Sequence, residues 1–222
     1  TFARLPYDAN ADFTPLGTAC HFDFAVAVAA QHPARTLDEF AEWCRRNPSQ
    51  SNFALFGLGS AMHFLGWTIA RKFGIALEPV PYTGVAQIAQ QMLGGQVASA
   101  IASTANFAEL HRSGKMRILA TSGAHRSAQL EGVPSFGELG LGAIQLEEWY
   151  GWFVRSATPP AEQQRLAAAV RAVQAQPEVR KAIEALGFTP GRFDGPQLAQ
   201  AIKADQARWA EVVKQTGFKA QG

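Results

Sequence analysis

Residues 16–30 are mostly apolar and read as a long strand. Pro33 then leads into Thr36-Leu37-Asp38-Glu39, a capping box with Thr36 at the N-cap and Glu39 three residues on. The helix that follows places Leu37, Phe40, Ala41 and Cys44 on one face and stops near Asn47-Pro48. A short strand over 52–56 feeds Gly57-Leu58-Gly59-Ser60, and a helix over 60–73 ends at Gly74. A strand over 75–81, a helix over 85–93 stopped by Gly94-Gly95, and strands over 96–103 and 116–122 continue the alternation. Strands alternating with helices predict an α/β lobe built on a mainly parallel sheet.

Past residue 145 the pattern changes. Residues 145–154 are extended and aromatic, with Trp149, Tyr150, Trp152 and Phe153, and after Pro159-Pro160 the chain turns helical. Leu166, Val170 and Val173 form one apolar stripe, and Val179, Ile183 and Leu186 a second that ends at Gly187. Asp194 caps a last helix carrying Leu198, Ile202, Trp209 and Val213. Such stripes need a sheet to cover, and the tail offers one candidate strand, near Phe188-Thr189-Pro190. Other strands must come from elsewhere.

Composition narrows the function more by exclusion than by suggestion. The chain has 222 residues, 47% of them apolar and 17% charged, so it can bury a substantial core. Its net charge is +2 and no basic run exceeds a pair such as Arg45-Arg46, which argues against a nucleic-acid surface. No apolar stretch approaches the roughly 18 residues of a membrane span, and Thr1-Phe2-Ala3-Arg4 does not open a signal peptide. Cys20 and Cys44 permit one disulfide, on a strand and the helix that follows it, and serve equally as small buried apolar residues. No histidine spacing suits a metal, and no cofactor motif is present, so metal and cofactor are expected to be absent.

The chemistry concentrates in Leu55-Phe56-Gly57-Leu58-Gly59-Ser60-Ala61-Met62-His63. A glycine turn opening a helix leaves backbone N–H groups without intrahelical partners at the positive end of the helix dipole, which suits a carboxylate or phosphate. Ser60 is expected as an N-cap or first-turn hydroxyl. His63, one turn on, either faces the same opening or is a neutral, hydrogen-bonded structural residue. The dinucleotide fingerprint, the P-loop and the hydrolase elbow all fail on glycine spacing. Ser60 and His63 lack a carboxylate to complete a triad, so no enzyme is expected. Tyr82, Thr83 and Gly84 begin a second helix from another strand end and line the same opening.

The chain as a whole resembles the Bug family, the extracytoplasmic solute receptors of tripartite tricarboxylate transporters. The resemblance rests on Leu5-Pro6-Tyr7-Asp8, Gly57-x-Gly59-Ser60-x-x-His63, Val80-Pro81-Tyr82-x-Gly84 and Leu93-Gly94-Gly95-Gln96-Val97, taken in order. Gly114-Lys115-Met116-Arg117, Thr121-Ser122, Val133-Pro134-Ser135, Trp149-Tyr150-Gly151, Thr158-Pro159 and Leu186-Gly187 continue it to the end. It implies an α/β, type II periplasmic binding protein fold: two lobes with mixed, mainly parallel sheets, joined by two crossing strands around a ligand cleft. The second lobe is expected over 19–143. Residues 1–18 and 144–222 supply the remainder of a first lobe that is incomplete in this chain.

The resemblance further implies a periplasmic receptor that captures a small carboxylate and passes it to membrane transporter components. The alternative is a ligand-sensing domain of the same fold with no transport role. The expected ligand-binding residues are Gly57, Gly59, Ser60, His63, Tyr82, Thr83, Gly84, Ser103 and Trp149. Trp149 matches the family aromatic where a crossing strand passes behind the ligand. Leu55, Phe56, Ala102 and Phe107 stand where family members carry small or polar residues, which leads to the expectation of an aromatic or otherwise apolar carboxylate.

Overall fold

A computed structural model describes residues 5–127 and 129–219. Residues 1–4, at the start of the expected first-lobe segment and of the signal-peptide reading, and 220–222 at its end lie outside the described set. The elements run β1 (Phe13–Ala29), α1 (Leu37–Arg46), β2 (Asn52–Leu55), α2 (Ala61–Phe73), β3 (Glu78–Pro81), α3 (Val85–Leu93) and β4 (Ser99–Ser103). Then come α4 (Thr104–Arg112), β5 (Met116–Thr121), β6 (Glu147–Arg155), α5 (Pro160–Gln174), α6 (Pro177–Ala185), β7 (Thr189–Pro190) and α7 (Gly195–Thr216). They form two compact units. The first takes the chain up to Phe22 and from Glu148 on; the second is the unbroken stretch Asp23–Glu147.

The second unit is built on a sheet in the order β3-β2-β4-β1-β5. β2 pairs in parallel with β3 and with β4, while the C-terminal part of β1 runs antiparallel to both β4 and β5. The sheet is therefore mixed. β–α alternation makes its parallel part, and β1, which is not preceded by a helix of this unit, supplies the antiparallel pairings. β3 is shorter than the expected 75–81 and lies at the sheet edge, where Pro79 and Pro81 need give no N–H to a second neighbour. α4 is an element that the apolar pattern does not announce.

Local signals explain most helix ends. Thr36 Oγ1 accepts from Glu39 N at 3.1 Å, but the Glu39 carboxylate reaches one residue past the N-cap and accepts from Arg35 N at 2.6 Å. Leu37, Phe40, Ala41 and Cys44 are the buried face of α1. Gly74 closes α2 in the left-handed region, and Asp194 with Gln197 forms a complete capping box on α7.

Strand alternation sorts the core. Ala25, Ala27, Ala54, Ala100 and Ala102 pave the face on which Ile88 and Met92 of α3 and Phe107 of α4 pack. Phe53 belongs to the opposite face of β2, fully covered, and its ring lies directly against Gly66 of α2. Ser122 joins the two ends of the unit. Its N–H donates to Phe24 O at 2.8 Å and its hydroxyl accepts from Phe24 N at 2.9 Å. On the other side its carbonyl accepts from Leu146 N at 2.9 Å and its hydroxyl donates to Leu146 O.

In the first unit the N-terminal part of β1 pairs with β6 and with β7, through Cys20↔Pro190 and His21↔Thr189. Thr18 is fully buried, and its hydroxyl accepts from the N–H groups of Arg192 and Phe193, both at 3.0 Å. α5 and α6 have no fully buried residue, and Val173 and Leu186 of their stripes are exposed. Both cysteines, Cys20 on β1 and Cys44 on α1, are buried and free, so the disulfide that the sequence permits is not formed. Burial pushes both thiols above their ordinary range, as expected of inert apolar residues.

Gly66→Ala is expected to destabilise the chain by about 1–3 kcal/mol despite the better helix propensity of alanine, worth at most about 1 kcal/mol. The new methyl meets the Phe53 ring, which is fully buried. A lower urea midpoint with an unchanged slope checks this, and a variant as stable as the parent refutes it.

Candidate functional site

Parallel pairing sets the site. Leu55 lies opposite Pro81 and Ala54 opposite Ala100, so β3, β2 and β4 finish along one edge of the second unit's sheet. Each strand then leads into a helix: α2 after residues 56–60, α3 after 82–84, and α4 directly after Ser103. The N-caps are Ser60, Gly84 and Ser103. Three positive helix ends thus follow neighbouring strand ends, an arrangement that favours an anion.

The turn after β2 carries the sharpest geometry. Gly57 and Gly59 both adopt φ of +77°, a conformation that strains any side chain. Ser60 is extended and its hydroxyl accepts from His63 N at 3.4 Å, while Phe64 N donates to Ser60 O at 3.2 Å. His63 Nδ1 accepts the Gly59 N–H at 3.0 Å. The described residues offer no protein acceptor to the amides of Ser60, Ala61 and Met62, which stay available as donors. Burial pushes the His63 imidazole below its ordinary pKa, with the Glu78 carboxylate pulling the other way. Its ring also lines a cavity of about 340 Å³ with Phe53, Trp67, Arg71, Leu77 and Pro79.

The other expected residues fall into three places. Tyr82 N donates to Leu55 O at 2.9 Å, carrying the parallel pairing past the strand, and its half-buried ring packs on the core. Thr83 is exposed, and both its N–H and its hydroxyl donate to Gln87 Oε1, at 3.3 and 3.1 Å. Around Gly84 a Cβ would meet nothing, so the backbone there is open. Ser103 donates its hydroxyl to Asn106 Oδ1 at 2.7 Å. The structure therefore brings Gly57, Gly59, Ser60, His63, Tyr82, Thr83, Gly84 and Ser103 to one sheet edge. Trp149 belongs to the first unit, where its indole N–H donates to Asp205 Oδ2 at 2.9 Å.

Gln87 and Asn106 are the residues that sequence reasoning missed. Asn106 stands three residues after Ser103, and Phe107 and Ala108 follow as an apolar pair, a helix-start signal present but unused. The expected apolar lining needs correction. Leu55, Ala102 and Phe107 are completely buried in the core and have no surface to offer a ligand; Phe56 alone keeps partial exposure. The ground for an aromatic or apolar ligand falls with them.

Beside Trp149, burial and the nearby Asp205 carboxylate push the Glu148 carboxyl up to about 7, against the opposing pull of Arg208. Glu148, Trp149, Asp205 and Trp209 line an open groove of the first unit. Among the described residues no three His, Cys, Asp or Glu side chains are grouped to hold a metal ion.

Many α/β folds gather helix N-termini at one sheet edge, and similarity to solved structures such as periplasmic binding protein BugD, at a TM-score of 0.85, shows which fold this is. R. palustris Rpa4515 with adipate matches all of this chain and 74% of its own at a TM-score of 0.89 and 23% identity, which shows the fold. MatC from Rhodopseudomonas palustris with bound malate is 27% identical, with a TM-score of 0.82 over 96% of this chain and 73% of its own. In sequence, Protein BugT of Bordetella pertussis is 28% identical over 97% of this chain and 66% of its own length. The chain matches the Tripartite tricarboxylate transporter family receptor over residues 1–218, and it belongs to that family, one of receptors rather than enzymes. It spans 63–68% of the length of the curated relatives it matches first.

The folded chain holds the Glu148 proton more tightly than the unfolded chain, so this group costs stability as pH rises from about 4.5 to about 7. Glu148→Gln is expected to stabilise the protein by roughly 1–3 kcal/mol near pH 8, with the gain vanishing near pH 4. Denaturant titrations at the two pH values read the difference, and an equal effect at both contradicts the assignment.

Proposed function

We propose that this chain is a periplasmic receptor for a small organic carboxylate, serving a membrane transporter of the tripartite tricarboxylate type. The single observation that carries the reading is the trio of available amides at Ser60, Ala61 and Met62, presented by a glycine turn at the start of a 13-residue helix. Backbone N–H groups at a helix start are pre-aligned donors, and hydrogen bonds to a charged acceptor are worth about 1.5–3 kcal/mol each. The carboxylate sits on these amides. Gly57 and Gly59 shape the turn, the Ser60 hydroxyl caps the helix, and Thr83, Gly84 and Ser103 form the neighbouring helix starts. Residues 19–143 act as the lobe that carries this turn. Adipate and malate in the two solved relatives support a carboxylate as the ligand class.

Ala61→Pro tests the donor role with little effect on the fold. Proline is favoured at the first helical position, and Ser60, at φ −82° and ψ 169°, already has the extended backbone that a following proline requires. The variant lacks one amide donor. Calorimetry with malate, adipate, acetate and citrate is expected to show binding of at least one to the parent chain and about tenfold weaker binding to the variant at equal melting temperature. Unchanged affinity, or binding of none of the four by the parent, refutes the reading.

A further inference from the structure

His63 is adjacent to the donors of the proposed carboxylate site, yet the bond it makes is to the turn itself. Its Nδ1 accepts the Gly59 N–H at 3.0 Å. That bond needs a lone pair on Nδ1, which only the neutral ring with its proton on Nε2 provides. Gly59 is one of the two left-handed residues of the turn, and Ser60, its neighbour, begins the run of available amides. Holding the Gly59 N–H fixes the Leu58–Gly59 peptide plane, and the left-handed φ of Gly59 then sets the start of the run of amides that follows.

We propose that His63 is the positioning residue of this turn: its neutral Nε2–H tautomer clamps the Gly59 amide, and protonation of the ring opens the clamp. A protonated Nδ1 sets N–H against N–H at the same separation and brings a positive charge to the positive end of α2. The charged groups around the ring are Glu78 of β3, which favours the protonated form, and Arg71 of α2, which shares the cavity wall. The other walls, from Phe53, Trp67, Leu77 and Pro79, carry no charge and resist the cation by desolvation. The clamp is therefore closed at neutral pH and opens with acidification below the ordinary imidazole value of about 6.5. Its consequence for ligand binding rests on the carboxylate reading above; the clamp itself does not.

Nitrogen-15 spectra of the ring and hydrogen exchange at the Gly59 amide test the clamp with no ligand present. Near pH 8 the ring is expected as the Nε2–H tautomer with Gly59 protected, and protonation or His63→Ala accelerates Gly59 exchange by about tenfold. His63→Asn places Oδ1 where Nδ1 stands but does not titrate, so it keeps Gly59 protected at every pH. An Nδ1–H tautomer, or Gly59 exchange indifferent to both protonation and the alanine variant, overturns the proposal. With malate as probe, affinity falls on acidification in the parent and stays flat in His63→Asn. Affinity that instead rises as the ring protonates makes His63 a direct partner of the anion and also overturns it. If none of malate, adipate, acetate and citrate binds, the spectra and exchange still decide the clamp, and only the carboxylate reading fails.

Discussion

Everything in the candidate site depends on the parallel pairing of β2 with its two neighbours. Parallel strands cannot be joined by a tight turn, so the chain must return across the sheet after each one, and here it does so through helices. The register that sets Leu55 beside Pro81 and Ala54 beside Ala100 makes those helices start at a common edge. Anion chemistry is then a consequence of topology, because helix starts hold spare donors whatever the side chains are. Side chains enter as refinements: glycine where φ must be positive, serine where a donor must be capped.

The same pairing explains why so much of the second unit was legible. α1, α2 and α3 were bounded by a capping threonine, a capping serine with Gly74, and Gly94-Gly95, and all three formed where these local signals put them. What failed to show locally was partnership. Nothing in the apolar run of β1 says that it pairs antiparallel with β4 and β5, because pairing direction is decided by where distant segments are brought. α4 carries no such punctuation: it begins directly after a strand, with no glycine or proline to separate the two signals.

The site was legible in its backbone and misread in its side chains. Gly57, Gly59 and Ser60 have local conformational requirements that residue type reveals. Leu55, Ala102 and Phe107 do not, since an apolar residue beside a binding turn serves equally well as core, and burial is a tertiary property. His63 is intermediate. Sequence leaves its ring either at the opening or in a structural bond, and the contact with Gly59 shows that such a bond is made. The cysteines follow the same rule: sequence permits a bond that the placement of the two residues does not make.

Ser122 draws the two ends of the second unit together, binding Phe24 and Leu146 through both its peptide group and its hydroxyl. A continuous stretch whose entry and exit meet at one residue has the architecture of a domain inserted into a host chain, and such stretches tolerate transplantation and circular permutation. The residues between Asp23 and Glu147 can thus be regarded as a cassette, with Ser122 as its clasp. Any residue without a hydroxyl at the clasp loses the two side-chain links and keeps only the peptide ones.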